Sequence, residues 1–314
     1  MTTTHHTEHE TDRAAIAQMR LMLGPVKGTI RGPDAREPFD HLMESVPAAA
    51  GVTYERAEVG GVGGWWCRPD EAIANVAILY LHGGGYVVGS ARAYKNFVGQ
   101  FVARANAVAF APEYGLAPEM PFPAAARDAH AAYSGLARQG FTRIALAGDS
   151  AGGGLALALL SQLTAEARNG SSLRPSCAAV VSPWTDLALT GESLTTRADP
   201  DLLSTKESLA SMARLYLAGQ DPRDPLASPL YGKFSALPPV RIDVGEDDIL
   251  LDDSVRYGGR LEREGGTNEI HIWQGMIHVF PSNVTSLKAA VEALDGISAF
   301  LQRELLREPA APTG

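Results

Sequence analysis

Ile144-Ala-Leu-Ala147 runs into Gly148-Asp149-Ser150-Ala151-Gly152, and that turn runs directly into Gly153-Gly-Leu-Ala-Leu-Ala-Leu-Leu-Ser-Gln-Leu163. The first piece is a short apolar strand and the last is a helix; between them stands the pattern G-x-S-x-G. A turn this tight needs glycine on both flanks, and it lifts the Ser150 hydroxyl above the C-terminal edge of a sheet. The free N–H groups and positive dipole at the start of the following helix favour an oxyanion at that point. Ser150 is therefore the candidate nucleophile.

Outward from this unit the same alternation repeats. Candidate strands are Val52 to Glu58, Val62 to Arg68, Val76 to Leu81, Ala107 to Ala111, Ile144 to Ala147, Ala178 to Val181, Val240 to Val244 and Ile270 to Trp273. Helical periodicity falls between them at Tyr94 to Arg104, Ala124 to Arg138, Ala151 to Ala167, Asp253 to Glu264 and Leu287 to Leu306. Strands that are almost continuously apolar belong to a parallel sheet covered on both faces, so the pattern predicts an α/β fold around a mostly parallel eight-stranded sheet. Two stretches break the alternation. Residues 1–50 read as a helix (Ala14 to Leu23), a Gly/Pro-rich turn and a second helix around Phe39 to Ala49. Thr185 to Leu237 loses its strand signals around one helix, Thr205 to Leu217. Residues 51–314 then form one catalytic domain interrupted at about 185–237.

Composition narrows the chemistry. With 27 Lys+Arg against 36 Asp+Glu in 314 residues the net charge is −9, which argues against nucleic acid as a partner. A mean hydropathy of −0.06 fits a folded soluble protein. The start MTTTHHTEHETDR lacks the basic and apolar regions of a secretory signal, and no apolar run reaches membrane-span length, so a cytoplasmic location and no membrane partner are expected. His5, His6 and His9 read as a solvated polar tail rather than metal ligands. Cys67 and Cys177 are too far apart for a C-x-x-C motif and read as buried, inert thiols. No metal or cofactor is expected.

A second glycine cluster points to the same reaction as the first. The strand VAILYL ends in His82-Gly83-Gly84-Gly85-Tyr86, the HGGG-type loop that presents backbone N–H groups to an oxyanion in lipases and esterases. The expected donors are Gly83 and Gly84, completed by Ala151. A phosphate-binding loop would need a following Lys-Ser/Thr, which is absent.

With HGGGY, GDSAGG and Glu113-Tyr-Gly-Leu-Ala-Pro-Glu119 the chain, from about residue 50 onward, resembles the bacterial hormone-sensitive-lipase-like (family IV) carboxylesterases of the α/β-hydrolase superfamily. Glu113 and Gly115 stand where that family usually has Asp and Arg. The order of the superfamily's triad is Ser, Asp, His. His278 follows the last strand on a loop, Gly275-Met-Ile-His-Val-Phe280, whereas His271 lies within the strand. The resemblance aligns Asp248 with the family's acid. Ile249 replaces the Pro that normally follows, which leaves Asp247 as a competitor; Asp243 lies inside a strand. The resemblance also implies that residues 1–50 and 185–237 form a cap and that Trp184 lies at the substrate pocket; Tyr86 is a further candidate there, and Met19, Met22, Leu23, Met212 and Tyr216 are apolar residues that either line the pocket or pack a helix face. It implies homodimer pairing through the strand near Ile270 to Trp273. The expected substrates are small to medium-chain esters, with lactones as the alternative. A non-catalytic receptor of the same fold would lack the His, and amide hydrolysis stays open.

Overall fold

The computed structural model describes residues 2–307. In chain order these form β1 (Thr2–His6), α1 (Glu10–Leu23), α2 (Arg36–Glu44), β2 (Val52–Val59), β3 (Val62–Pro69), β4 (Val76–Leu81), α3 (Ala91–Ala105), β5 (Val108–Pro112), α4 (Ala124–Arg138), β6 (Arg143–Asp149), α5 (Ser150–Arg168), β7 (Ala178–Val181), α6 (Ser193–Thr196), α7 (Lys206–Leu217), β8 (Val240–Gly245), α8 (Leu251–Arg263), β9 (Asn268–Trp273) and α9 (Lys288–Leu306).

One sheet holds all the strands in the order β1-β9-β8-β7-β6-β4-β5-β3-β2. Pairings are parallel from β1 through β5, and the two hairpin strands β3 and β2 are antiparallel. The central strands are buried on both faces because their side chains alternate between two cores. On β4, Ala77, Leu79 and Leu81 enter the core shared with α4, α5 and α8, whereas Val76, Ile78 and Tyr80 enter the core shared with α3 and α9. Helix α5, which follows the Ser150 turn, is buried from Ser150 through Leu160. That explains why its sequence is apolar all round instead of amphipathic. Cys67 and Cys177 are both buried and unpaired, and burial raises both thiols, Cys67 to about 12.

Among the described residues the sheet has nine strands, not eight, because the Thr- and His-rich start is a strand and not a solvated tail. Residues Thr2 to His6 pair in parallel register with Glu269 to Trp273. A run of β-branched threonines suits an extended edge, and aromatic contact locks it. The His6 ring stacks on Trp273 with centroids 3.6 Å apart, and its Nε2 is 2.9 Å from His271 Nδ1. In consequence β9 is an inner strand, and the edge expected to carry dimer pairing near Ile270 to Trp273 is already covered by β1.

The second helix also shifts. It spans Arg36–Glu44 and ends before Pro47, whose preceding residue is kept out of the helical region. Helix α7 begins where expected because Thr205 and Ser208 form a reciprocal cap. Among the described residues no helix is long and apolar enough to cross a membrane.

Candidate active site

The turn between β6 and α5 places Ser150 at the first position of the helix with φ of 51°, a left-handed conformation that is sparsely populated for a non-glycine residue. The surroundings enforce it. A Cβ on Gly152 would lie 2.1 Å from the Leu81 carbonyl oxygen, so only glycine lets α5 pack this closely against the end of β4.

Two loops at the same sheet edge complete a hydrogen-bonded line. His278 follows β9 and puts Nε2 3.0 Å from Ser150 Oγ. Its Nδ1 faces Asp248, at 3.0 Å from Oδ2 and 3.1 Å from Oδ1. Asp248 follows β8, is fully buried, and also accepts the Leu250 N–H at 2.8 Å. The competing carboxylates are engaged elsewhere. Asp247 is half-buried and 4.0 Å from Arg20, while Asp243 accepts from Arg241 and from Trp273 Nε1. Burial alone would lower the His278 pKa, but the charge and hydrogen bond of Asp248, with Asp201 and Asp149 beyond it, push it up to about 9.

The HGGG loop departs from the expected donor set. Gly83 gives its N–H to Asp149 Oδ1 at 3.2 Å, so that group is not free for an oxyanion. The glycines that line the cavity are Gly84 and Gly85. Their N–H groups find no protein acceptor among the described residues, and Ala151 sits in the first turn of α5, where N–H groups have no intrahelical partner. Asp149 anchors the loop from below. It also accepts from Tyr80 Oη at 2.9 Å and Tyr94 Oη at 3.1 Å, and burial raises it to about 6 against those hydrogen bonds.

Ser150 and His278 open into a cavity of about 310 Å³, near the lower end of the ~300–1,000 Å³ typical of ligand sites. Met19, Met22 and Leu23 of α1 and Met212 of α7 line it together with Trp184. Tyr86 and Tyr216 do not. They are fully buried and stacked on each other, 3.8 Å between centroids, behind the cavity wall. Phe39, Leu42 and Met43 of α2 and Leu209 of α7 were not singled out from the sequence, although Phe39, Leu42 and Met43 carry the i, i+3, i+4 spacing of one helix face. No Lys or Arg lines the cavity among the described residues.

A family model described as the alpha/beta hydrolase fold matches residues 78–282. The chain belongs to that family. The hydrolase is 39% identical over 270 residues to an acetyl-hydrolase of Streptomyces hygroscopicus, covering 85% of this chain and 86% of that protein. Its fold is similar to an esterase of the bacterial hormone-sensitive lipase family, at 35% identity and a TM-score of 0.86 over 95% of this chain and 99% of that one. It is similar again to a hormone-sensitive lipase from a metagenome library, at 32% identity and a TM-score of 0.87 over 95% and 99% of the two chains. Fold, family and relatives agree on a carboxylic ester hydrolase of the hormone-sensitive-lipase type.

The hydrolase handles its two departures from the usual loop locally. Glu113 accepts the N–H groups of Ala91 and Arg92, both at 3.0 Å, at the start of α3. Gly115 donates its N–H to Asp128 Oδ2 at 2.8 Å. Neither touches the Ser150 line.

Proposed function

We propose that the hydrolase cleaves small to medium-chain carboxylic esters through an acyl-enzyme on Ser150. The unbroken hydrogen-bonded line from Ser150 Oγ through His278 to Asp248 carries this reading. His278 Nε2 takes the Ser150 proton as Oγ attacks the ester carbonyl. The oxyanion is held by the N–H groups of Gly84, Gly85 and Ala151, each worth roughly 3 kcal/mol to the transition state. The carbonyl–alkoxy bond then breaks and the leaving alcohol takes the proton from His278. Water, deprotonated by the same imidazole, releases the acid and restores Ser150. Asp248 orients the ring and stabilises its charged form without accepting the proton.

Residues 10–50 and 185–237 act as the cap that sets substrate size, since α1, α2 and α7 supply most of the apolar cavity wall, whereas Thr2–His6, expected with the cap, belongs to the sheet. A cavity without Lys or Arg supports neutral esters over those bearing carboxylate or phosphate. Its modest volume supports short acyl chains, consistent with relatives described as acetyl-hydrolase and ethyl acetate hydrolase. Lactones would be opened by the same atoms. Replacing Ser150 with Ala is expected to lower kcat on p-nitrophenyl butyrate by on the order of 10⁴ or more. Turnover near that of the intact enzyme would overturn the reading. A series of p-nitrophenyl esters run beside several lactones ranks the substrate classes.

A further inference from the structure

Asp201 is buried with no exposed surface, belongs to the segment between α6 and α7, and lies outside the Ser150 line. Its carboxylate is shared between two loops. Oδ1 accepts the N–H groups of Leu203 and Ser204 at 2.8 and 2.7 Å, closing the turn that carries both residues to the cavity wall. Oδ2 accepts the Ile249 N–H at 2.9 Å, on the residue next to Asp248. The carbonyl of that same Ile249 accepts from Ser193 Oγ at 2.8 Å. The insertion therefore holds Ile249 from both ends of the residue.

The other side of the Asp201 turn is bound by the N-terminal segment. Lys27 Nζ donates to the Ala198 carbonyl, Arg20 to those of Asp199 and Pro200, and Gly28 N–H to that of Leu203. Both pieces of chain that wall the cavity thus meet at the Asp201 turn, whose carboxylate in turn grips the loop bearing Asp248.

We propose that Asp201 is a positioning residue for the Asp248–His278 pair: through the Ile249 N–H it holds the acid loop in register with the cavity wall and brings a second buried carboxylate to the loop that bears Asp248. The inference rests on the acyl-enzyme reading above. The charges that act most on His278 are those of Asp248, Asp201 and Asp149, and those that act most on Asp201 are Asp248 and His278. Removing one of three carboxylates from around an imidazolium must make it a stronger acid. An Asn side chain also turns an NH₂ toward one of the backbone donors, so Asp201→Asn alters hydrogen bonding as well as charge.

The test is the second-order rate of Ser150 labelling by a fluorophosphonate, followed by intact mass from pH 6 to 10, together with kcat and KM on p-nitrophenyl acetate. For Asp201→Asn the acid limb of labelling is expected to move down by about half a pH unit or more, with kcat reduced and KM within about twofold. Asp201→Ala should lower kcat about tenfold in the intact background, yet by less than about twofold in Ile249→Pro, which has no N–H to hold. A purely structural role would lower the plateau without moving the limb and would cost the same in both backgrounds; that result overturns the inference. Failure of the unmodified enzyme to label at Ser150 would instead strike the acyl-enzyme reading itself.

Discussion

Gly83 and Asp149 are joined by a 3.2 Å hydrogen bond, from backbone N–H to carboxylate, that ties the HGGG loop to the residue immediately before Ser150. The same carboxylate serves the hydroxyls of Tyr80 and Tyr94, and all three side chains are buried. Replacing Asp149 with Ala leaves two buried hydroxyls and one buried N–H without an acceptor. At ~1–3 kcal/mol for each unsatisfied group, urea unfolding at pH 7 should show a loss on the order of 3 kcal/mol. The labelling rate of Ser150 should fall too, because Gly84 and Gly85 lose the anchor of their loop. A variant with unchanged midpoint and rate would show that the loop needs no such tie.

The upward displacement of His278 has a sign that can be read in two ways at once. A general base works only when neutral, so kcat/KM on a simple alkyl ester in a pH-stat should climb about tenfold per pH unit below about 9 and level off there. Stability runs the opposite way. A folded-state pKa raised above 6.5 stabilises the fold fully below that pH, and the contribution, about 3 kcal/mol, is lost as pH rises through about 9. Asp248→Asn should remove most of the stability trend and move the acid limb of the rate down toward the ordinary imidazole range. A flat rate profile between pH 6 and 9 in the unmodified enzyme would contradict the assignment of His278 as base.

Much of this arrangement is written in local sequence. Val76–Leu81 and Ala178–Val181 have the bounds that the pattern predicts because burial on two faces leaves an uninterrupted apolar signature, and Ala124–Arg138 does because its one buried face repeats at helical spacing. Ser150 and His278 were legible because a tight turn and a post-strand loop have strong residue requirements. What stayed hidden was set by partners distant in sequence. Nothing in HGGG says which glycine N–H turns inward, and Asp149 in the neighbouring turn decides it. Tyr86 and Tyr216 look like pocket aromatics until each is seen to cover the other. Thr2–His6 has no apolar alternation because an edge strand needs only backbone pairing, and Asp201 lies on a loop without period.

Met212 faces the HGGG loop so closely that a Cβ on Gly85 would lie 2.3 Å from its sulfur. It is an α7 side chain that lines the cavity beside that loop's proposed oxyanion donors. Enlarging it to Trp should fill cavity space that longer chains use. On p-nitrophenyl hexanoate kcat/KM should fall about tenfold or more, while acetate stays within about threefold. Equal losses on both esters would mean that Met212 supports the donors and does not measure the acyl chain.

The β1 strand makes a prediction about assembly. Deleting Thr2–His6 removes five paired residues and the His6 ring that covers Trp273, so β9 becomes an open edge with unpaired N–H and C=O groups. Such edges recruit other strands, and a second copy offers the same one. Light scattering after size exclusion should therefore give a larger mass for the shortened chain than for the intact one at equal concentration, with a lower Tm when dilute. Charge placed at this edge should reverse the gain: Ile272→Lys in the shortened chain is expected to restore the smaller species, because two lysines would meet across the new interface. If the shortened chain keeps both mass and Tm, β1 contributes nothing to closing the sheet, and any pairing of protomers must use another surface.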